Sequence, residues 1–189
     1  MRKIVSQKEK EQSEAKKSRI IVIIVSTILL FSILGYSFKG FNTDNNEKKT
    51  YGNLEFELTQ NGWQFNVEGM SFIMQYLPEE TMNISANMTL NVQDYVNQPL
   101  YFSTESLQEG IRELEGNMYN FVFRMQYACL SENCTEYAIK NCTNDKIIVI
   151  KEANETFISQ EDNCITIHTA LEETVRASDR FLYKIFGFN

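Results

Sequence analysis

The residues of this 189-residue chain best suited to chemistry are four cysteines, a single histidine and several neighbouring carboxylates. Cys129, Cys134, Cys142 and Cys164 are spaced C-x4-C, x7-C and x21-C. There is no C-x2-C knuckle, and one histidine is too few for the usual mixed tetrahedral sites, so zinc is a poor fit. An even set of cysteines gathered in one part of the chain suits two disulfides in an oxidising compartment. Cys142 and Cys164 each sit just before a strand-like run, KIIVIK and ITIHT, and neighbouring strands would bring them together. Cys129–Cys134 with Cys142–Cys164 is therefore the favoured pairing of the three possible.

His168 is the one side chain with an ordinary pKa near neutrality. It ends a strand pattern and has no recognisable nucleophile motif beside it, so a structural or surface role is expected. G-x-S-x-G, H-E-x-x-H, P-loop and G-x-G-x-x-G motifs are missing, which removes the common hydrolase, metalloprotease and nucleotide signatures. Glu79-Glu80, Glu113 with Glu115, Glu161-Asp162 and Glu172-Glu173 could supply a glycosidase-like pair if the fold set two of them across a cleft. Charged turns and helix starts account for them more simply. Trp63, Phe65, Phe72 and Tyr76 could form a sugar or peptide platform, but their alternating positions fit a core. No D-x-D-x-D-G calcium loop occurs, and no metal or cofactor is expected. Five N-x-S/T sequons, at Asn83, Asn87, Asn133, Asn141 and Asn154, are candidate glycosylation sites.

These residues must be placed by an element that comes before all of them. Ile20 to Phe38, IIVIIVSTILLFSILGYSF, is nineteen residues without a charge. As a helix it would reach roughly 28 Å, close to the hydrocarbon thickness of a bilayer. Seven basic residues against three acidic ones precede it, so the positive-inside rule puts the N-terminus in the cytoplasm. A cleaved signal peptide is the competing reading, but the run is long for one and lacks a good small-x-small site. A pilin-like subunit is a further alternative, disfavoured because Ser18-Arg19 precede the helix without the small residue such processing uses. The expected organisation is a basic cytoplasmic tail (1–19), a transmembrane signal-anchor (20–38), a tether (39–50) and one extracytoplasmic domain (51–189). Residues 39–189 carry 11 basic and 22 acidic residues, a net charge of −11 that disfavours nucleic acid and anionic headgroups as ligands.

Within the domain, three alternating runs open the chain: Leu54, Phe56 and Leu58; Trp63, Phe65 and Val67; Phe72, Met74 and Tyr76. Asn61-Gly62 and Gly69 mark the reversals between them. Residues 92–97 suit a short helix and 100–103 a strand. Thr104 is placed to cap a helix from Glu105 to Glu115, ended by Gly116. A strand over 121–127 would complete a strand–helix–strand unit. Strands at 147–150, near Phe157 and at 165–167 follow, and a final helix spans Ala170 to Phe186 with Leu171, Val175, Leu182 and Phe186 as its apolar stripe. Phe181, Tyr183 and Phe188 could then be left partly exposed as a partner surface, although a core position suits any single one of them better. The order predicts an α+β fold.

The phrases GWQFNVEGMSFIMQYLPEE, KNCTNDKIIVIKEANETFISQEDNCITI and ASDRFLYKIFGF are similar to those of small uncharacterised archaeal proteins. Those proteins carry one N-terminal transmembrane helix and a cysteine-containing extracytoplasmic domain. The resemblance implies the same topology and brings no catalytic residue with it. The expected protein is a single-pass membrane protein of the cell envelope, binding or scaffolding for an envelope partner without catalysis. The alternative is an envelope enzyme or enzyme subunit that uses paired carboxylates.

Overall fold

The computed structural model describes residues 47–188, which belong to a single compact unit. The proposed membrane segment, Ile20–Phe38, lies outside the described residues. Among those described, no helix is long and apolar enough to cross a membrane. The unit is α+β and contains two sheets.

The first sheet is an antiparallel meander of β1 (Lys48–Tyr51), β2 (Leu54–Thr59), β3 (Gly62–Val67) and β4 (Met70–Met74). Its first strand starts at Lys48, so the last residues of the expected tether are paired with β2. Each turn has two residues. Val67 faces Met70, and the intervening Glu68 and Gly69 both have positive φ, the conformation whose twist matches a tight hairpin. Phe56, Phe65 and Phe72 line up on the buried face with ring centroids 4.6 and 5.3 Å apart. As the alternation implies, Trp63, Phe65 and Phe72 are core, while Tyr76 is half-buried.

The second sheet is mixed, in the order β5 (Ser85–Asn87), β9 (Phe157–Glu161), β10 (Cys164–Thr169), β8 (Lys146–Glu152), β6 (Pro99–Ser103), β7 (Arg124–Ala128). β6 and β7 are parallel and joined by helix α2 (Gln108–Met118), as the strand–helix–strand pattern predicts. That helix begins later and ends later than expected. Thr104 does not cap it; residues 104–106 instead form a turn that serves β8, where Ser106 Oγ accepts from Ile150 N–H and Leu107 N–H donates to Ile150 C=O. Gly116 does not end the helix because Asn117 and Met118, on the inner face, are buried and carry it on. β7 is shorter than the alternation implied: Phe121 lies before it, and Phe123 is 71% exposed.

α1 (Pro78–Thr81) is a single turn, and only Val92–Asp94 of the anticipated helix at 92–97 coils, as a 3-10 turn capped by Asn91. The last helix, α3, runs Thr174–Ile185. A 3-10 turn at Leu171–Glu173 precedes it and shifts its phase, leaving Leu171 53% exposed. The buried face is Ala177, Phe181, Leu182, Tyr183 and Ile185. Phe181 and Tyr183 are therefore core residues, which removes them as a partner surface.

One hydrophobic cluster runs from the meander through α2 and α3 to the near face of the mixed sheet, taking in Leu100, Phe102, Ile148 and Ile150. A smaller one, Tyr101, Ala128, Ile147, Val149 and Cys164, occupies the opposite face, with Cys142 packed against it. β8 is buried on both faces, which explains its uninterrupted apolar run.

Candidate binding cleft

The favoured disulfide pairing is the one observed. Cys129–Cys134 and Cys142–Cys164 bring their Cα atoms to 5.5 and 5.0 Å. Cys164 starts β10, which is paired in parallel with β8, and Cys142 lies four residues before β8. Asn163 completes the clamp: its N–H donates to Cys142 C=O, its side chain donates to Thr143 C=O, and Lys146 donates to its Oδ1.

The other bridge shapes the edge of the mixed sheet. β7 is its outermost strand, and Cys129 follows it directly. The returning segment pairs in parallel at one point, Cys129 with Ile139, where Cys129 N–H donates to Ala138 C=O and Lys140 N–H to Cys129 C=O. Between this segment and the outer strands lies a cleft of about 600 Å³, within the range of small-molecule sites. Tyr101, Arg124 and Tyr127 line it on the sheet side, and Glu136, Tyr137 and Lys140 on the loop side.

Tyr101 is the floor of the cleft, since its residue is 4% exposed. Arg124 Nη2 donates to its hydroxyl at 3.2 Å, and Lys140 Nζ sits 4.5 Å from its ring centroid. The Arg124 hydrogen bond, with Lys140 assisting, holds the Tyr101 phenol below its ordinary range. Lys140 is also paired with Asp145 at 3.0 Å. That hydrogen bond, followed by the one to Tyr101, keeps the Lys140 ammonium above its ordinary value. Tyr127 and Tyr137 stand 5.8 Å apart and tilted at the mouth, and Tyr137 is 46% exposed.

None of these residues was singled out by sequence reasoning. Tyr101 sits in a strand that reads as pure core, and Arg124 and Gln126 look like an ordinary solvated face. Only the alternation of Arg124 and Gln126 with Met125 and Tyr127 hints that one side of β7 is polar. The pairing of Tyr101 with Gln126 puts that side on the Tyr101 face.

The anticipated carboxylate pairs stay apart. Glu80 accepts from Leu77 N–H at the start of α1, Glu161 and Asp162 are exposed beside the β9–β10 turn, and Glu173 accepts from Thr156 and Arg176. The pair that does meet is Glu113 of α2 with Asp179 of α3. Asp179 is fully buried; its Oδ2 accepts from Gln75 N–H and Tyr76 N–H, both at 2.9 Å. Burial, and then the Glu113 charge, push Asp179 well above the carboxylate range, and burial raises Glu113 as well. Asp179 Oδ1 is buried without a hydrogen-bond partner, which favours the neutral acid at this position. Asp179 lies in the core beside half-buried Glu113, and neither lines the cleft.

His168 stacks on Phe157 at 4.2 Å, with Nε2 3.5 Å from Ser159 Oγ, and burial lowers its pKa. The five sequon asparagines are all exposed, with Asn87 on the edge strand β5 and Asn83 accepting from Arg176. Among the described residues, no cluster of His, Cys, Asp and Glu is arranged to hold a metal ion. A second, apolar groove of about 480 Å³ is lined by residues that include Val67, Met70, Phe121, Phe186 and Phe188.

No family model matches the chain, and comparison with curated proteins and with solved structures finds no significant similarity to any of them.

Proposed function

We propose that the chain is a single-pass, N-inside protein of the cell envelope whose α+β domain lies outside the membrane and binds without catalysing. The observation that carries the binding half of this reading is the cleft on the disulfide-tied edge of the mixed sheet. It combines exposed Tyr137 and half-buried Tyr127 with Arg124 and Lys140, groups that recognise a ligand by stacking and charge. The anchor rests on the charge asymmetry around Ile20–Phe38. Glycans at Asn83, Asn87, Asn133, Asn141 and Asn154 are proposed on the same topology, and exposure leaves each accessible. The enzyme alternative needs paired carboxylates that a substrate can reach. Asp179 is sealed and occupied with two backbone amides, which counts against it.

Gentle solubilisation of membranes containing the tagged full chain, followed by analysis of co-purifying protein and glycan, tests this reading. The Tyr137→Ser chain should lose the retained material while its melting temperature stays unchanged. Undiminished retention would remove the cleft from the function. Turnover of an envelope glycan or peptide that stops on Glu113→Gln would establish the enzyme instead.

A further inference from the structure

The geometry of the cleft points to a carboxylate-bearing sugar, a uronic acid residue of an envelope glycan, as its ligand. This inference rests on the binding reading above and adds the chemical class of the ligand. Three features select it. Arg124 is exposed at the cleft and spends one Nη2–H on Tyr101, so most of its planar fork remains to receive a carboxylate. Exposed Tyr137, with Tyr127 beside it at 5.8 Å, can present an apolar surface to the C–H face of a pyranose, and Gln126 and Glu136 can bond its hydroxyls. The charge balance then limits the anion. The cleft has two cations, but Lys140 is answered by Asp145 and Glu136 stands on the opposite wall. The cleft is therefore close to neutral, with Arg124 the cation that Asp145 does not answer, in a segment that is strongly acidic as a whole. A polyphosphate or polynucleotide would be repelled by the long-range field and by Glu136, whereas one carboxylate on a neutral ring asks for a single cation, Arg124, and uses the aromatic wall. A free carboxylate lacks the ring and leaves the tyrosines unused; a neutral sugar offers Arg124 only hydroxyl acceptors, without a charge-assisted bidentate pair.

Saturation-transfer NMR on the full chain in detergent micelles, with glucuronate as the probe and glucose and acetate as controls, tests the proposal. Glucuronate should bind, with transfer strongest to its ring protons, and at least tenfold more tightly than either control. Arg124→Gln should weaken it about tenfold, and Tyr137→Ala should weaken it and abolish the ring-proton transfer. Glu136→Gln, which removes the opposing charge, should strengthen it severalfold. Unchanged melting temperatures keep these changes attributable to the cleft. The inference is overturned by the absence of glucuronate binding, by equal binding of glucose or acetate, or by indifference to Arg124→Gln. Should glucuronate fail while Tyr137→Ser still releases co-purifying material, only the sugar-acid class falls. Should that variant release nothing either, the binding reading falls with it.

Discussion

Asp179 shows how one side chain can hold two elements by staying neutral. Its Oδ2 receives the Gln75 and Tyr76 amides, which follow β4, while burial and then the charge of Glu113 on α2 favour its neutral form. Because its folded pKa is raised, the native state keeps a proton that the unfolded chain gives up near the ordinary carboxylate value. Its contribution to stability is therefore complete at low pH and declines as pH rises through the folded pKa, levelling off above it. Glu113, also raised, acts in the same direction. Asp179→Asn keeps an acceptor for both amides and turns an N–H toward Glu113. Denaturant melts of this variant should lose most of the pH slope, and at pH 8 it should be at least as stable as the parent. Asp179→Ala strands two buried amides and should cost about 2–4 kcal/mol at any pH. A parent whose stability rises from pH 5 to pH 8, together with an unaltered slope in the Asn variant, would refute the protonated pair.

At the scale of elements, α2 finishes the meander that it does not follow in sequence. β4 is an edge strand, and Asn117 closes part of that edge by accepting from Ile73 N–H and donating to Ile73 C=O. Asn117→Ala leaves both groups without this partner and should cost about 2 kcal/mol in chemical denaturation. The helices can serve the edge because they approach closely at Gly110. A methyl added there would lie 2.6 Å from Ile150 Cδ1 and 2.7 Å from Ser178 Oγ, so Gly110→Ala should destabilise by about 1–3 kcal/mol despite alanine's better helix propensity. A more stable Gly110→Ala variant would show that the crossing has slack. Much of this level was legible beforehand, since the period-two runs of β2, β3 and β4 write their own burial. Helix ends and phases were less so. Gly116 looks like a stop, yet tertiary burial of Met118 outweighs it. Leu171 looks like the head of an apolar stripe, yet the 3-10 turn rotates it outward. The cleft was illegible for another reason: Tyr101, Arg124 and Lys140 are joined only by strand pairing and a disulfide, and no local period records that.

For the whole molecule, topology and redox chemistry make one joint prediction. The two disulfides brace different parts of the mixed sheet, one tying the loop into β8 and β10 and the other tying the cleft wall to the end of β7. Their loops differ in length, with sequence separations of 22 and 5. In the chain-entropy account the longer is worth about 3 kcal/mol and the shorter about 2 kcal/mol. Replacing Cys142 and Cys164 together by Ser should accordingly lower the melting temperature by about 10 °C, and replacing Cys129 and Cys134 by less. The shorter bridge matters more to the cleft, because Glu136, Tyr137 and Lys140 are held against Tyr101 by the segment it ties down. Its loss should therefore weaken ligand binding more than it weakens the fold, while loss of the longer bridge does the reverse. This division of labour requires an oxidising compartment, which the anchor at Ile20–Phe38 would provide by delivering residues 39–189 outside the cell. Alkylation of intact cells before lysis should label no cysteine without prior reduction. Protease added outside should remove the domain and leave a fragment of the tail and helix. Four alkylated thiols in native protein, or a domain shielded from protease until the cells are opened, would place it on the reducing side and undo the topology.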